Sequence, residues 1–323
     1  MRVQMDTSAN DKSEIVERYA DAQAISMQFK ITAYPTALFM SPNGKLIGRS
    51  TGTVKWQRDF IEIAMNAMQY PDYVAAYREG RNDSSFLRQL ALDGVKVDDT
   101  ATLSRIGGDY LRTVKNPFRK DNLQVIVAVT KSSRDSGFQF VRMNREVVDD
   151  SEHLKGFSIR LVGNIIKREL IMPALQKGTD WTLIYIDVVR QYPDVGDEVV
   201  RFFHVANDIQ VNDWADFGGR VVDFMNRYYH RWDNDGNFFN ALAYYAFLHC
   251  DEQPVLKAAL VWARQSLSVR TESFNLDTYA NLLYKLKRKD EAIEWERKAV
   301  AADQRDSNLK ECLKKMEAGE RTW

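Results

Sequence analysis

Along most of this chain, apolar residues recur every three or four positions, the spacing of one buried helical face. From residue 72 onward the pattern predicts helices over residues 72–78, 84–92, 101–114, 123–132, 138–147, 153–175, 181–191, 196–207 and 211–229. Short linkers rich in Gly, Asp, Asn, Pro and Lys separate them. The β-branched run Leu123-Gln-Val-Ile-Val-Ala-Val-Thr130 also suits a strand, but it has no obvious strand partner nearby and is read as a buried helix. Before residue 72 the pattern is mixed. Residues 2–6 alternate as a short strand does, and 11–19 and 20–30 read as helical. Residues 53–70 carry Phe60, Ile61, Ile63, Ala64, Ala67 and Met68 at helical spacing, and Pro71 marks a first boundary.

Between those helices lies Ile31-Thr-Ala-Tyr-Pro-Thr-Ala-Leu-Phe-Met-Ser-Pro-Asn-Gly44, followed by Lys45-Leu-Ile-Gly-Arg-Ser-Thr-Gly52. A proline tolerated at a strand's first position, an apolar strand at 37–40, an Asn43-Gly44 turn and a second strand at 45–50 predict a β-hairpin. Asn-Gly is a two-residue hairpin signal because both positions accept positive φ. In order and spacing, residues 1–69 resemble the second half of a thioredoxin-like domain, with Phe60 on the last helix. The resemblance implies a cis proline at Pro35 and polypeptide binding by Tyr34, Pro35 and Thr36, through main-chain pairing with an extended segment. It also implies thiol–disulfide exchange for a complete member. This chain, however, has no C-x-x-C, and its two cysteines, Cys250 and Cys312, are remote from the hairpin. With no counterpart of the family's first strand, first helix and second strand, the chain reads as N-terminally truncated, its start assigned at an internal methionine.

A repeat appears near the C-terminus. Ala259-Leu-Val-Trp-Ala-Arg-Gln-Ser-Leu267 matches Ala292-Ile-Glu-Trp-Glu-Arg-Lys-Ala-Val300 at an offset of 33. Tyr245-Ala-Phe-Leu248 matches Tyr279-Ala-Asn-Leu282 at an offset of 34. Two helices per unit at this period resemble tetratricopeptide repeats, with small residues Ala280, Ala292 and Ala299 at the helix contacts. The expected fold class is therefore α+β/α multidomain. A partial thioredoxin-like α/β domain (1–69) precedes an α-helical middle region (70–231) and tetratricopeptide-like repeats (232–323). Such combinations occur among exported bacterial thioredoxin-family proteins, which implies a periplasmic or exported location for a longer parent.

Composition narrows the partners. With 45% hydrophobic residues the 323-residue chain can bury a sizeable core. Its 45 basic and 45 acidic residues cancel, removing the simple electrostatic case for nucleic acid. No apolar run has the length of a membrane span, and no signal peptide is visible. A protein or peptide partner is expected, and no cofactor.

The remaining candidates read as structural. Cys250 follows His249, but adjacent helical residues face different ways, so a buried packing cysteine is expected there and a partly buried one at Cys312. His153, His204 and His230 lack ligand spacing, so no metal site is expected. Asp233-Asn-Asp-Gly236 is similar to the start of a calcium loop but lacks its later ligands, and reads as a capping turn. Asp149, Asp150 and Glu152 read as a helix start. Gly107-Gly108 and Gly218-Gly219 lack a phosphate-cradle context. Two functions follow: a thiol–disulfide oxidoreductase parent of which this chain keeps only a substrate-contact loop, or a non-enzymatic protein-binding module.

Overall fold

A computed structural model of the chain describes residues 19–323 apart from 30, 32–35, 41, 43, 45, 52–56, 98, 152–155 and 232–235. The expected strand at 2–6 and helix at 11–19 fall almost wholly outside these residues. The rest is mostly helical, with one two-stranded sheet among the described residues. Two compact units form: one holds the described residues up to Pro117 with Gln124–Lys131, the other Phe118–Leu123 with Ser132–Trp323.

In the first unit, α1 (Tyr19–Gln28) precedes strands β1 (Thr36–Met40) and β2 (Leu46–Thr51), which pair antiparallel as the hairpin pattern predicts. Thr36 opens β1 opposite Thr51. Met40 pairs with Leu46, which leaves a five-residue connection in place of the two-residue turn; Gly44 takes φ +79° within it. A bulge lies between Phe39 and Met40. β2 docks on α2 (Gln57–Arg78) through Gly48, where an added Cβ would stand 2.8 Å from the Ala67 Cβ and 3.1 Å from Val97. A two-stranded hairpin is marginal alone. Burying Phe39 and this glycine face against helices gives it a core.

α2 runs unbroken through Pro71, so the boundary expected there is not a chain break. On either side of Pro71, Tyr70 and Tyr77 hold α2 to one neighbouring helix. Tyr70 donates to Asp99, the N-cap of α4 (Thr100–Thr113), at 3.2 Å, and Tyr77 donates to Asp109 on the same helix. These contacts outweigh the single backbone bond that a proline removes. Between them, α3 (Ser84–Lys96) starts at Asp83, whose carboxylate accepts from the Phe86 N–H at 2.9 Å. α5 (Lys120–Val129) confirms the β-branched run as helix. Its Val129 packs on Gly107, where a Cβ would sit at 2.8 Å. Gly107 thus serves close packing.

The second unit is helical throughout its described residues. The helix expected at 138–147 is two, α6 (Ser136–Met143) and α7 (Arg145–Ser151). Asn144 between them donates its amide to the Phe140 carbonyl at 2.8 Å, competing with the backbone ladder. Asp149 does not start a helix as expected. It lies in the last turn of α7 and its carboxylate accepts from the Gly156 and Ser158 N–H groups at 3.1 and 2.6 Å, capping α8 (Phe157–Ile166). A π-helical turn at Lys167–Ile171 links α8 to α9 (Met172–Gln176). Here Pro173 has no N–H for the ladder, and the Met172 N–H reaches the Lys167 carbonyl, five residues back.

α10 (Trp181–Gln191) has the bounds the periodicity predicts. α11 (Gly196–Val211) runs four residues further than expected and stops at Asn212, in the left-handed region at φ 57°. α12 accordingly begins at Phe217, not 211, and ends at Tyr228. Asp197 ties these three helices: it accepts from Tyr185 of α10 at 2.8 Å, from Tyr228 of α12, and from Arg201 at 2.8 Å. Arg201 continues to Asp223.

Two helical hairpins and a last helix close the chain: α13 (Gly236–His249) with α14 (Gln253–Val269), α15 (Ser273–Lys285) with α16 (Lys289–Ala302), then α17 (Ser307–Ala318). They are the two repeat units, and this part is helical-repeat-like. Ala246, Ala259, Ala263, Ala280, Ala292 and Ala299 are all fully buried at the helix contacts. Lys285 joins the hairpins: buried at the end of α15, it donates to the Phe247 carbonyl at 2.7 Å and pairs with Asp251 at 3.0 Å.

Adding one methyl at two glycines has opposite expected outcomes. Gly48→Ala clashes with Ala67 and Val97 and is expected to lower stability by about 1–3 kcal/mol. Gly219→Ala, on an exposed helical position with nothing near the added Cβ, is expected to raise it by about 0.5–1 kcal/mol. Urea unfolding of both variants checks the pair, and equal shifts would refute the packing argument.

Candidate functional site

The residues chosen from sequence divide by position. Thr36 begins β1, while Tyr34 and Pro35 lie outside the described residues. Of the Asp233–Gly236 turn, only Gly236 is described, as the first residue of α13. The cysteines behave as buried groups. Cys250 is fully buried against Gly218, and burial pushes its thiol up to about 11; Cys312 is half-buried and its thiol is raised further. His249 does not pair with Cys250 but stacks on Trp214 with ring centroids 3.6 Å apart. Thiol exchange needs a thiolate, and both thiols are held protonated at neutral pH.

A concave cavity of about 610 Å³ opens along α13, α15 and α17. Its wall includes the aromatic side chains of Tyr244 and Phe274 and the amides of Asn237, Asn240 and Asn308. Asn240 is nine-tenths buried, and its side-chain carbonyl has no hydrogen-bond partner. Three carboxylates reach the lining, Asp277, Asp306 and Glu311, against a single lining ammonium, Lys315, which Glu311 holds at 2.9 Å. The cavity is therefore acidic as well as amide-rich.

Its floor holds a cluster that the sequence reading missed. Ligand atoms of Asp277 on α15, Glu296 on α16 and Cys312 on α17 all lie within 4.8 Å of one another. Glu296 has no exposed surface, and neither of its carboxyl oxygens takes a hydrogen bond from a backbone N–H, amide, hydroxyl or basic side chain, so it can share a proton only within the cluster. Its nearest polar neighbours are the other two members. Asn281 braces the group: its amide donates to Asp277 at 2.8 Å, and its carbonyl accepts from Thr322 at 2.6 Å and lies 3.5 Å from the Cys312 sulfur. Burial, with the Asp277 charge beside it, pushes the Glu296 carboxyl well above the usual carboxylate range, and burial raises Asp277 as well.

A signal for this cluster was present in the repeat. At the offset of 34, Asp277 stands where the first hairpin has Ala243, and at the offset of 33 Glu296 stands where it has Ala263. Both alanines are fully buried. Acids at those positions are therefore inward-facing, although α16 as a whole looks charged and solvated.

Away from the cavity, Asp208 is buried and held by Arg220 at 2.6 Å. His204, stacked on Trp181 at 4.2 Å, sits 3.9 Å from Asp208. A carboxylate already neutralised by Arg220 does little for the imidazole.

The fold and site define a helical-repeat-like protein with an acidic, amide-lined cavity. Comparison of the chain with protein-family models and with curated proteins finds no match to either.

Burial and the Arg220 guanidinium push His204 down to about 4, against the opposing pull of Asp213 and Asp180. Between pH 6.5 and 4 the unfolded chain therefore binds more protons than the folded one. This contribution to stability is complete above pH 6.5 and is lost as pH falls through that window. Urea midpoints measured from pH 7 to pH 4 are expected to fall, and to fall less steeply in His204→Gln. An unchanged slope in that variant would refute the assignment.

Proposed function

We propose that the chain is a non-enzymatic protein-binding module whose C-terminal helical hairpins take an extended, basic peptide segment. The observation that carries this reading is the cavity along α13, α15 and α17, with the unpartnered carbonyl of Asn240 at its wall. An asparagine offers one acceptor and two donors, which match the N–H and C=O groups of an extended main chain. Aromatic faces at Tyr244 and Phe274 suit aliphatic stems and cationic heads. The excess of carboxylates favours lysine and arginine in the partner. In this reading the thioredoxin-like hairpin has a structural part, held by Gly48 to α2. The oxidoreductase alternative draws no support from two thiols that burial keeps protonated.

A positional-scanning library of fluorescein-labelled nonapeptides tests this by anisotropy. Saturable binding with preference for lysine or arginine is expected, weakening as salt screens the acidic rim. Asn240→Ala is expected to weaken the best peptide about tenfold, or about 1.4 kcal/mol, through loss of one amide contact. Glu311→Lys is expected to weaken basic peptides selectively. A library without a saturable binder, or affinities unmoved by both variants, would overturn the proposal.

A further inference from the structure

The cluster beneath the cavity has a chemistry of its own, independent of any peptide. Two carboxyls and a thiol converge from three different helices, with all three sets of ligand atoms within 4.8 Å. A tetrahedral zinc site places sulfur at about 2.3 Å and carboxylate oxygen at about 2.0–2.2 Å from the metal, so its ligand atoms stand about 3.5 Å apart. Closing the cluster to that geometry takes small side-chain movements. The second observation is Glu296 itself. It is wholly buried, neither oxygen takes a hydrogen bond from a backbone N–H, amide, hydroxyl or basic side chain, and the groups that act on it are the acidic Asp277 and Cys312. A buried carboxyl in a purely structural role is ordinarily hydrogen-bonded.

We propose that Asp277, Glu296 and Cys312 form a binding site for a divalent transition-metal cation of the zinc type. Cys312 supplies a thiolate and the two acids supply carboxylate oxygens. The Asn281 carbonyl, 3.5 Å from the Cys312 sulfur, or a water from the cavity completes four ligands. Thiolate with carboxylate selects zinc or cobalt over calcium and magnesium, which take oxygen ligands alone. The cation reaches the cluster through the cavity, because Asp277 and Cys312 line it while Glu296 lies below. On binding, each ligand still protonated releases its proton to solvent. Since α15, α16 and α17 each contribute one ligand, the metal clips the second hairpin to the last helix.

The test uses the full chain after dialysis against a chelator, titrated with Co²⁺ and then competed with Zn²⁺. One equivalent of Co²⁺ is expected to give a thiolate-to-cobalt charge-transfer band with the visible bands of a tetrahedral ion. Cys312→Ser is expected to abolish the charge-transfer band, and Cys250→Ser, outside the cluster, to leave it. Asp277→Asn and Glu296→Gln are expected to weaken Zn²⁺ by about a hundredfold or more, since even outer-shell changes cost 10–100-fold. The unsubstituted chain decides the matter even where a variant fails to fold. Absence of a stoichiometric band from that chain would overturn the site. So would a band that survives Cys312→Ser, or Zn²⁺ affinity unchanged in both acid variants. Loss of the metal site with peptide binding intact would leave the module reading standing, and the reverse result would leave the metal site.

Discussion

The close approach of helix backbones is the constraint on which this structure depends. In the C-terminal hairpins the contacts are made by fully buried alanines, among them Ala259, Ala263, Ala280, Ala292 and Ala299. A methyl side chain lets backbones approach and leaves little room for anything larger. Leu276, Ala299 and Leu309 then form a small apolar cluster under Leu267, Trp295 and Val300, which joins α14, α15, α16 and α17. Two hairpins alone leave apolar faces uncovered. Here α17 covers one, and the C-terminal Trp323 packs its ring on Phe247 and over the Lys285 ammonium. Lys285 is buried because its charge meets a helix-end carbonyl and Asp251 together.

The first unit obeys the same rule with glycine. Gly48 sets the distance between the β-hairpin and α2, Gly94 meets Leu103 and the Tyr70 hydroxyl, and Gly107 meets Val129. Wherever a residue without a side chain faces a neighbour at this range, sheet or helix can lie flat on the next helix. In the middle of the chain polar contacts add to an apolar core that includes Val199, Phe203, Val221 and Phe224. Asp197, Arg201 and Asp223 join α10, α11 and α12, and Glu198, almost fully buried, is met by Arg145 and Arg231. A buried carboxylate with two guanidinium partners is compensated.

The hairpin and α10 were legible because local chemistry and tertiary packing agree there. The Pro-Thr and Asn-Gly signals bound short apolar strands, and Trp181–Gln191 is flanked by an Asp cap and a Tyr-Pro stop. Sequence failed where a side chain acts beyond its own element. Pro71 reads as a boundary, yet Tyr70 and Tyr77 anchor the helix on both sides of it. Asp149 reads as the start of a helix, but the helix it caps begins eight residues later. Asn144 and Asn212 break helices that periodicity alone carries through. The acidic cluster was hidden for a related reason: its members lie on three different helices, and no spacing within one helix brings them together.

Comparing the two hairpins turns that cluster from a curiosity into a physical problem. The first unit shows that Ala243 and Ala263 suffice for packing at these positions. The second unit replaces both with acids and adds a thiol from the next helix, so it gives up a dry contact for three polar groups near one another. Leaving two of them charged together inside the protein is prohibitive. Two states escape that cost: protons retained on the carboxyl groups, or a cation drawn among them. Asp277 and Cys312 also form part of the cavity floor, so the two states present different charges to whatever occupies the cavity. With the proton retained on Glu296, Asp277 adds its charge to the acidity of Asp306 and Glu311. With a cation the cluster becomes a fixed, structured wall joining α15, α16 and α17. Packing would have been served by alanine, so the acids are best understood through what the cluster holds.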